Sequence, residues 1–305
     1  MNLKKKILAA VMAGGIIFGG GNALVTSAAD NMVAFKEAYL AENNSTRSFR
    51  VNADFFGPSY RTEINGVSFI LRDATMRMTG QMNWEFTNPA TNEVTNEDFP
   101  YYVEQNGDTM TMYVQRNGSW SKFALPAIPV GIANAIKTTD LATLQQNMTA
   151  VKDVEILKDD ANQRIMNVTL DGEKLAELVQ SYNSNVSGEK DFLGHIVDAL
   201  KKTDLTCAWT VNKKDWTTAT ASLDLTKLIQ AYGKDYLDDA AKGEIVLSQA
   251  DRSYYEVLGY YSELHFVLNS QATETQVSAP QGASSARTNA NVFADLVQKI
   301  SQTKR

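Results

Sequence analysis

Apolar and polar residues alternate along much of this chain, with a period that changes from two to helical and back. Met32 to Glu42 places Met32, Phe35, Tyr39 and Leu40 near one helical face, and Asn43-Asn44-Ser45 ends that helix. From Ser48 to Phe55 the period is two. Phe49, Val51, Ala53 and Phe55 point one way and Arg50, Asn52 and Asp54 the other, as strand geometry requires of one dry and one wet face. Asn65-Gly66 predicts a hairpin turn, because both residues tolerate positive φ. A long alternating strand follows, with Met76, Met78, Gly80, Met82, Trp84 and Phe86 on one face and Thr75, Arg77, Thr79, Gln81, Asn83 and Glu85 on the other. Tyr101–Gln105 and Thr109–Gln115 flank Asn106-Gly107, and Asn117-Gly118 turns the chain again before Trp120.

Between Pro126 and Met148 the spacing becomes helical, with Ile128, Ile132 and Ile136 and then Leu141, Leu144 and Met148 recurring on one side and Asp140 opening a second helix. A strand, turn, strand, helix unit comes next: Val154–Lys158, Arg164–Leu170 and Glu173–Tyr182. The unit recurs as Leu205–Val211, Trp216–Leu223 and Thr226–Tyr232. The Leu170-Asp171 and Leu223-Asp224 pairs are 53 residues apart, and Tyr182 and Tyr232 are 50 apart, which fits either a structural repeat or two similar hairpins. Ser253–Asn269 reads as one or two further strands, with Leu264, Phe266 and Leu268 on one face. Gln271–Asn289 has linker composition, and Val292–Ile300 reads as a short final helix. Strands in consecutive hairpins, not alternating with helices, predict the α+β class: an antiparallel sheet with helices on one face.

The N-terminus has a different character. Lys4-Lys5-Lys6, an uncharged apolar stretch from Ile7, and the small residues Thr26-Ser27-Ala28-Ala29 form the three parts of a secretory signal, with cleavage expected after Ala28 or Ala29. The uncharged stretch to Ala29 is 23 residues, long enough to span a membrane as an uncleaved anchor, but its glycines and small-residue end favour cleavage. No cysteine adjoins the cut for lipid attachment. Residues 1–29 are therefore read as signal, 30–270 as the main domain, 271–290 as linker and 291–305 as a terminal helix. The expected location is extracytoplasmic, periplasmic or secreted.

Removing that segment takes away three lysines and no acids, so the formal charge moves from -6 to -9. This disfavours nucleic acid and anionic membrane surfaces as primary partners. Cys207 is the lone cysteine, so no internal disulfide forms. The two histidines, His195 and His265, sit in no catalytic motif, and no Gly-x-Ser-x-Gly elbow is present. His265 alternates with Leu264 and Phe266, which makes it an outward-facing strand residue. His195 reads as an exposed helix or loop residue. One Cys with two His does not supply a clustered zinc site, and Asp159-Asp160 and Asp238-Asp239 lack the calcium-loop pattern and read as solvated turns. No catalytic residue, metal or cofactor is expected.

The most distinctive feature is the methionine stripe. Met76, Met78 and Met82 share a strand face with Trp84 and Phe86, and Met110 and Met112 alternate on the neighbouring strand. Methionine is flexible and polarizable and lines surfaces that accept variable apolar shapes. The stripe fits a pliable apolar cavity, and it equally fits an ordinary core between sheet and helices.

Taken in order, the signal segment, the short helix, the strand Ser48–Phe55, the methionine-rich strand Ala74–Phe86, the tyrosine-rich hairpin Tyr101–Trp120 ending Gly118-Ser119-Trp120-Ser121-Lys122, and the later strand pairs resemble the LolA/LppX-like superfamily of envelope proteins, in an uncharacterised Firmicute-type branch. The resemblance covers Met32 to Asn269 and contains no catalytic signature. It implies a strongly bent antiparallel sheet, an unclosed half-barrel, with helices on its concave face. It further implies a non-enzymatic soluble carrier of a lipid or lipidated protein, with envelope membrane proteins as further partners. The ligand-lining residues expected from the strand faces are Phe49, Val51, Phe55, Met76, Met78, Met82, Trp84, Phe86, Met110 and Met112, covered by helices around Ile128–Ile136. The alternatives are an envelope interaction or sensing module with a filled core, and a hydrolase with an acid pair brought together in space.

Overall fold

The computed structural model describes residues 28–41, 48–72, 75–106, 109–125, 147–182, 192–270, 277–289 and 291–302. Helix α1 (Ala28–Ala41) leads into a run of antiparallel strands: β1 (Ser48–Gly57), β2 (Tyr60–Arg72), β3 (Thr75–Thr87), β4 (Val94–Asn106), β5 (Thr109–Arg116) and β6 (Ser119–Leu125). The hairpin β7 (Val151–Asp159) and β8 (Gln163–Leu170) is followed by α2 (Gly172–Tyr182) and α3 (Phe192–Lys201). A second hairpin, β9 (Leu205–Asn212) and β10 (Thr217–Asp224), is followed by α4 (Thr226–Lys242) and α5 (Gln249–Tyr261). Strand β11 (Glu263–Ser270), the two-residue β12 (Arg287–Thr288) and α6 (Ala294–Gln302) complete the chain.

The twelve strands among the described residues form one sheet in the order β12-β6-β5-β4-β3-β2-β1-β11-β10-β9-β8-β7. Every pairing is antiparallel except β12 with β6. The sheet is bent and unclosed, a half-barrel with helices on its concave side. Its registers explain why it holds a single core. Residues directly opposite one another share a face, and one apolar rung runs unbroken across nine strands: Val154, Val168, Cys207, Leu223, Phe266, Ala53, Ile64, Met82 and Phe99. Every residue of that rung is buried.

Two predicted turns take different forms. Asn117-Gly118 is a two-residue hairpin loop with φ of 52° and 73°, the paired left-handed conformation that matches strand twist. Asn65-Gly66, by contrast, lies inside the continuous strand β2, where the register skips between Asn65 and Ser68. The signal marks a bulge, and the chain reverses instead between Gly57 and Tyr60. β4 and β5 pair around Asn106 as the Asn106-Gly107 signal predicts.

The repeated unit is present as adjacent hairpins. β7-β8 and β9-β10 lie side by side, and Leu170 and Leu205 are opposite each other. Asp171 Oδ1 accepts from the Lys174 amide at 3.0 Å and Asp224 Oδ1 from the Thr226 amide at 2.9 Å, so each Leu-Asp pair ends a strand and starts a helix. Helix α4 does not stop at Tyr232 but continues to Lys242, closed by Gly243 at φ 80°. The segment from Ser253 to Tyr261 is helical, not a strand. Ser248 caps α5, accepting from the Asp251 amide at 3.1 Å, and the buried Tyr254, Tyr255, Val257 and Leu258 are held by packing that outweighs their β preference.

Three ties anchor the periphery. Arg164, 3% exposed, donates to the Ala34 carbonyl at 2.8 Å and to Glu37 and Asp159 at 2.9 Å each, docking α1 against β7 and β8. Phe35 of α1 meets Trp209 edge-on at 5.7 Å. In the stretch of linker composition, residues 277–289 lie against the sheet edge: Val277, Ala283 and Ala286 are buried, and the Asn289 amide donates to the Lys122 carbonyl at 2.9 Å. Small residues suit that close approach. Among the described residues no helix is long and apolar enough to cross a membrane.

Candidate functional site

The concave face of β3–β6 is built from cross-strand rungs. Met78, Val103, Met112 and Phe123 form one, and Tyr101 and Val114 lie on a neighbouring one. Gln105, Met110 and Leu125 form another. Phe55, Met78, Met82, Trp84, Phe86, Met110 and Met112 all belong to a single buried cluster, with Met110 and Met112 at 1% and 0% exposure. Seven of the expected lining residues therefore come together. Phe49, Val51 and Met76 occupy strand positions opposite Ser270, Leu268 and Leu71, but their side chains lie outside the described residues. The expected covering helices around Ile128–Ile136 also lie outside them.

The described cover at this end of the strip is the C-terminal helix. Phe293, just before α6, meets the rings of Phe99 and Phe123 edge-on at 5.6 and 6.1 Å, and Val292 and Leu296 are buried beside them. Trp84 and Phe86 stack in parallel at 5.8 Å, and Lys299 Nζ sits 5.1 Å from the Trp84 ring centre, a cation over an aromatic face. One arginine fastens this cover. Arg116 Nη1 donates to the Val292 carbonyl at 2.8 Å and to Asp295 Oδ1 at 2.7 Å, while Nη2 reaches Asp295 Oδ2 and Glu97 Oε2, both at 2.7 Å. The bond to Asp295, against the cost of desolvation and with help from Glu97, holds the guanidinium above its ordinary value. Arg116 in turn depresses the Asp295 carboxyl.

On the other face of β4, Glu104 accepts from the Tyr102 and Tyr113 hydroxyls at 3.1 and 3.0 Å. Burial, followed by the adjacent Glu104 charge, pushes the Tyr102 phenol up to about 12.

A second cluster lies in the helix layer, and the sequence reading misplaces its members. His195 is 1% exposed, not at the surface, and its Nδ1 stands 2.8 Å from Asp235 Oδ2. Asp239 is buried in α4, while its neighbour Asp238 is exposed; the pair is not a solvated turn. The expected helix boundary at Tyr232 hid this, because only an α4 extended past that residue puts Asp235 and Asp239 on one face. His265 does face outward, with Asp224 and Glu263 at 3.8 and 3.5 Å.

These features define a class: an α+β half-barrel whose apolar concave face is covered by helices. The chain belongs to a family of unknown function, DUF6612, whose model matches residues 68–236, more than half of the sequence. No curated protein matches it. Among solved structures it is similar to the crystal structure of LprF from Mycobacterium bovis, with 12% identity and a TM-score of 0.32 over 78% of this chain and 90% of that one.

Proposed function

We propose that the protein is an exported carrier that shelters a lipid, or the acyl part of a lipidated ligand, between the concave sheet face and its helical cover. The observation that carries this reading is the pairing of a continuous methionine and aromatic strip, Met78, Met82, Trp84, Phe86, Met110 and Met112, with a short terminal helix held over its end by one arginine. An acyl chain in water costs roughly 0.8 kcal/mol for each exposed CH₂, so its transfer through an aqueous compartment needs such a shelter. Methionines repack around chains of different length without the strain a stiff core would suffer. The signal-like N-terminus and the resemblance of the sequence to LolA/LppX-like carriers agree with this role.

One observation favours a second reading, an envelope interaction or sensing module with a filled core. Met110 and Met112 are packed to 1% and 0% exposure, as a closed core would be. Tryptophan quenching separates the two. A brominated fatty acid should quench emission saturably at one equivalent, and Trp84→Phe should remove most of that quenching. Absence of saturable quenching moves the assignment to the filled-core module.

A further inference from the structure

We infer that His195, Asp235 and Asp239 form a binding site for a borderline divalent metal ion of the zinc type, clamping α3 to α4. This is independent of the carrier reading. One ligand atom from each residue lies within 4.8 Å of the other two, and all three side chains are buried. His195 Nδ1 stands 2.8 Å from Asp235 Oδ2 and 3.8 Å from Asp239 Oδ2. Around zinc, imidazole nitrogen and carboxylate oxygen lie about 2.0–2.2 Å from the metal, which sets tetrahedral ligand atoms roughly 3.3–3.5 Å apart. The hydrogen-bonded pair would open by about half an ångström and the longer pair would close by a similar amount.

The surroundings suit a built site better than a chance cluster. Asp235 and Asp239 stand one helical turn apart on α4 and point the same way. Their outer oxygens meet Lys202 and Lys242 at 2.9 and 3.4 Å, while the inner oxygens turn toward the imidazole. Lys202 and Lys242 are 49% and 60% exposed, whereas both carboxylates are buried at a cost in desolvation. A divalent cation offsets it directly. The imidazole plane is fixed by Tyr236, stacked at 3.6 Å, and Tyr236 is fixed by Tyr255, stacked at 4.2 Å. Metal binding uses the Nδ1 lone pair, so the ring proton then resides on Nε2. One nitrogen with two carboxylate oxygens selects a borderline transition metal over calcium or magnesium, which prefer all-oxygen shells with more ligands.

The test uses chelator-treated protein and the metal alone. Zn²⁺ should raise the thermal midpoint with one-to-one stoichiometry, and Co²⁺ should give the intense visible absorption of a four-coordinate site. His195→Gln and Asp239→Asn, each checked for fold by circular dichroism, should weaken binding by more than the roughly 10–100-fold that loss of a supporting outer partner costs. His265→Ala, at the exposed histidine, should leave binding unchanged. The inference is overturned if Co²⁺ keeps the spectrum of the aqua ion in the unmodified protein. It is also overturned if His265→Ala, and not the variants at His195 and Asp239, abolishes binding.

Discussion

Replacing Arg116 by alanine should release the C-terminal helix while leaving the sheet intact. Arg116 makes two kinds of link to the helix. The bidentate contact with Asp295 involves a carboxylate whose side chain is 53% exposed, so it contributes only about 0.2–1 kcal/mol. The bond to the Val292 carbonyl comes from a charged donor on a part-buried side chain and contributes roughly 1.5–3 kcal/mol. A combined loss of about 2–4 kcal/mol makes opening of the helix roughly 30- to 700-fold more frequent, at about 1.4 kcal/mol per factor of ten. Hydrogen exchange followed by mass spectrometry reads this directly. Peptides covering 292–302 should lose protection by that factor, and peptides from β3–β5 should not change. Unchanged exchange in 292–302, or an equal rise throughout the sheet, would refute the latch. The same contact sets a pH dependence. The Asp295 carboxyl is lowered in the fold by Arg116, so its contribution is fully present above the ordinary value of 3.8 and is lost as pH falls through the lower folded value. Protection of α6 should therefore weaken in acid before that of the sheet.

Three further outcomes are expected. Gly233→Ala would place a Cβ 2.6 Å from the Gly259 amide nitrogen where α4 crosses α5, so the thermal midpoint should fall by the equivalent of about 2 kcal/mol or more. Tyr60→Phe removes the buried 2.6 Å hydrogen bond to Ser262 Oγ and should cost about 1–2 kcal/mol in denaturant unfolding. The Cys207 thiol lies in the nine-strand rung, fully buried and pushed up to about 12 by that burial; it should resist a thiol reagent at pH 8 and react with one equivalent once the chain is denatured.

The strand faces were readable because a period of two survives any error in element boundaries. Once Met78, Met82, Trp84 and Phe86 alternate with polar residues, only one face can be dry, and the registers then join that face to Phe99, Met112 and Phe123. What local pattern could not supply was anything decided by contact over distance. Tyr254, Tyr255 and Val257 favour strands locally, yet burial against α4 holds them in a helix. Asn65-Gly66 tolerates a turn and equally a bulge, and the opposing skip between Val51 and Ala53 fixes the bulge. The latch joins Arg116 to Asp295 across 179 positions. His195 meets Asp235 across 40, in a helix whose end the sequence placed too early. Composition suggested a linker over 271–290, but alanine and serine also fit a backbone lying close against β6, which is where 277–289 runs.

The central claim, that this half-barrel shelters an acyl chain, is tested most directly by native mass spectrometry of the protein purified from its own envelope, with lipid extraction of the same sample. The carrier account predicts a one-to-one adduct whose mass matches an extracted lipid, and its loss in Met78→Glu without unfolding. A protein that emerges free of adduct and takes up no added lipid would contradict it.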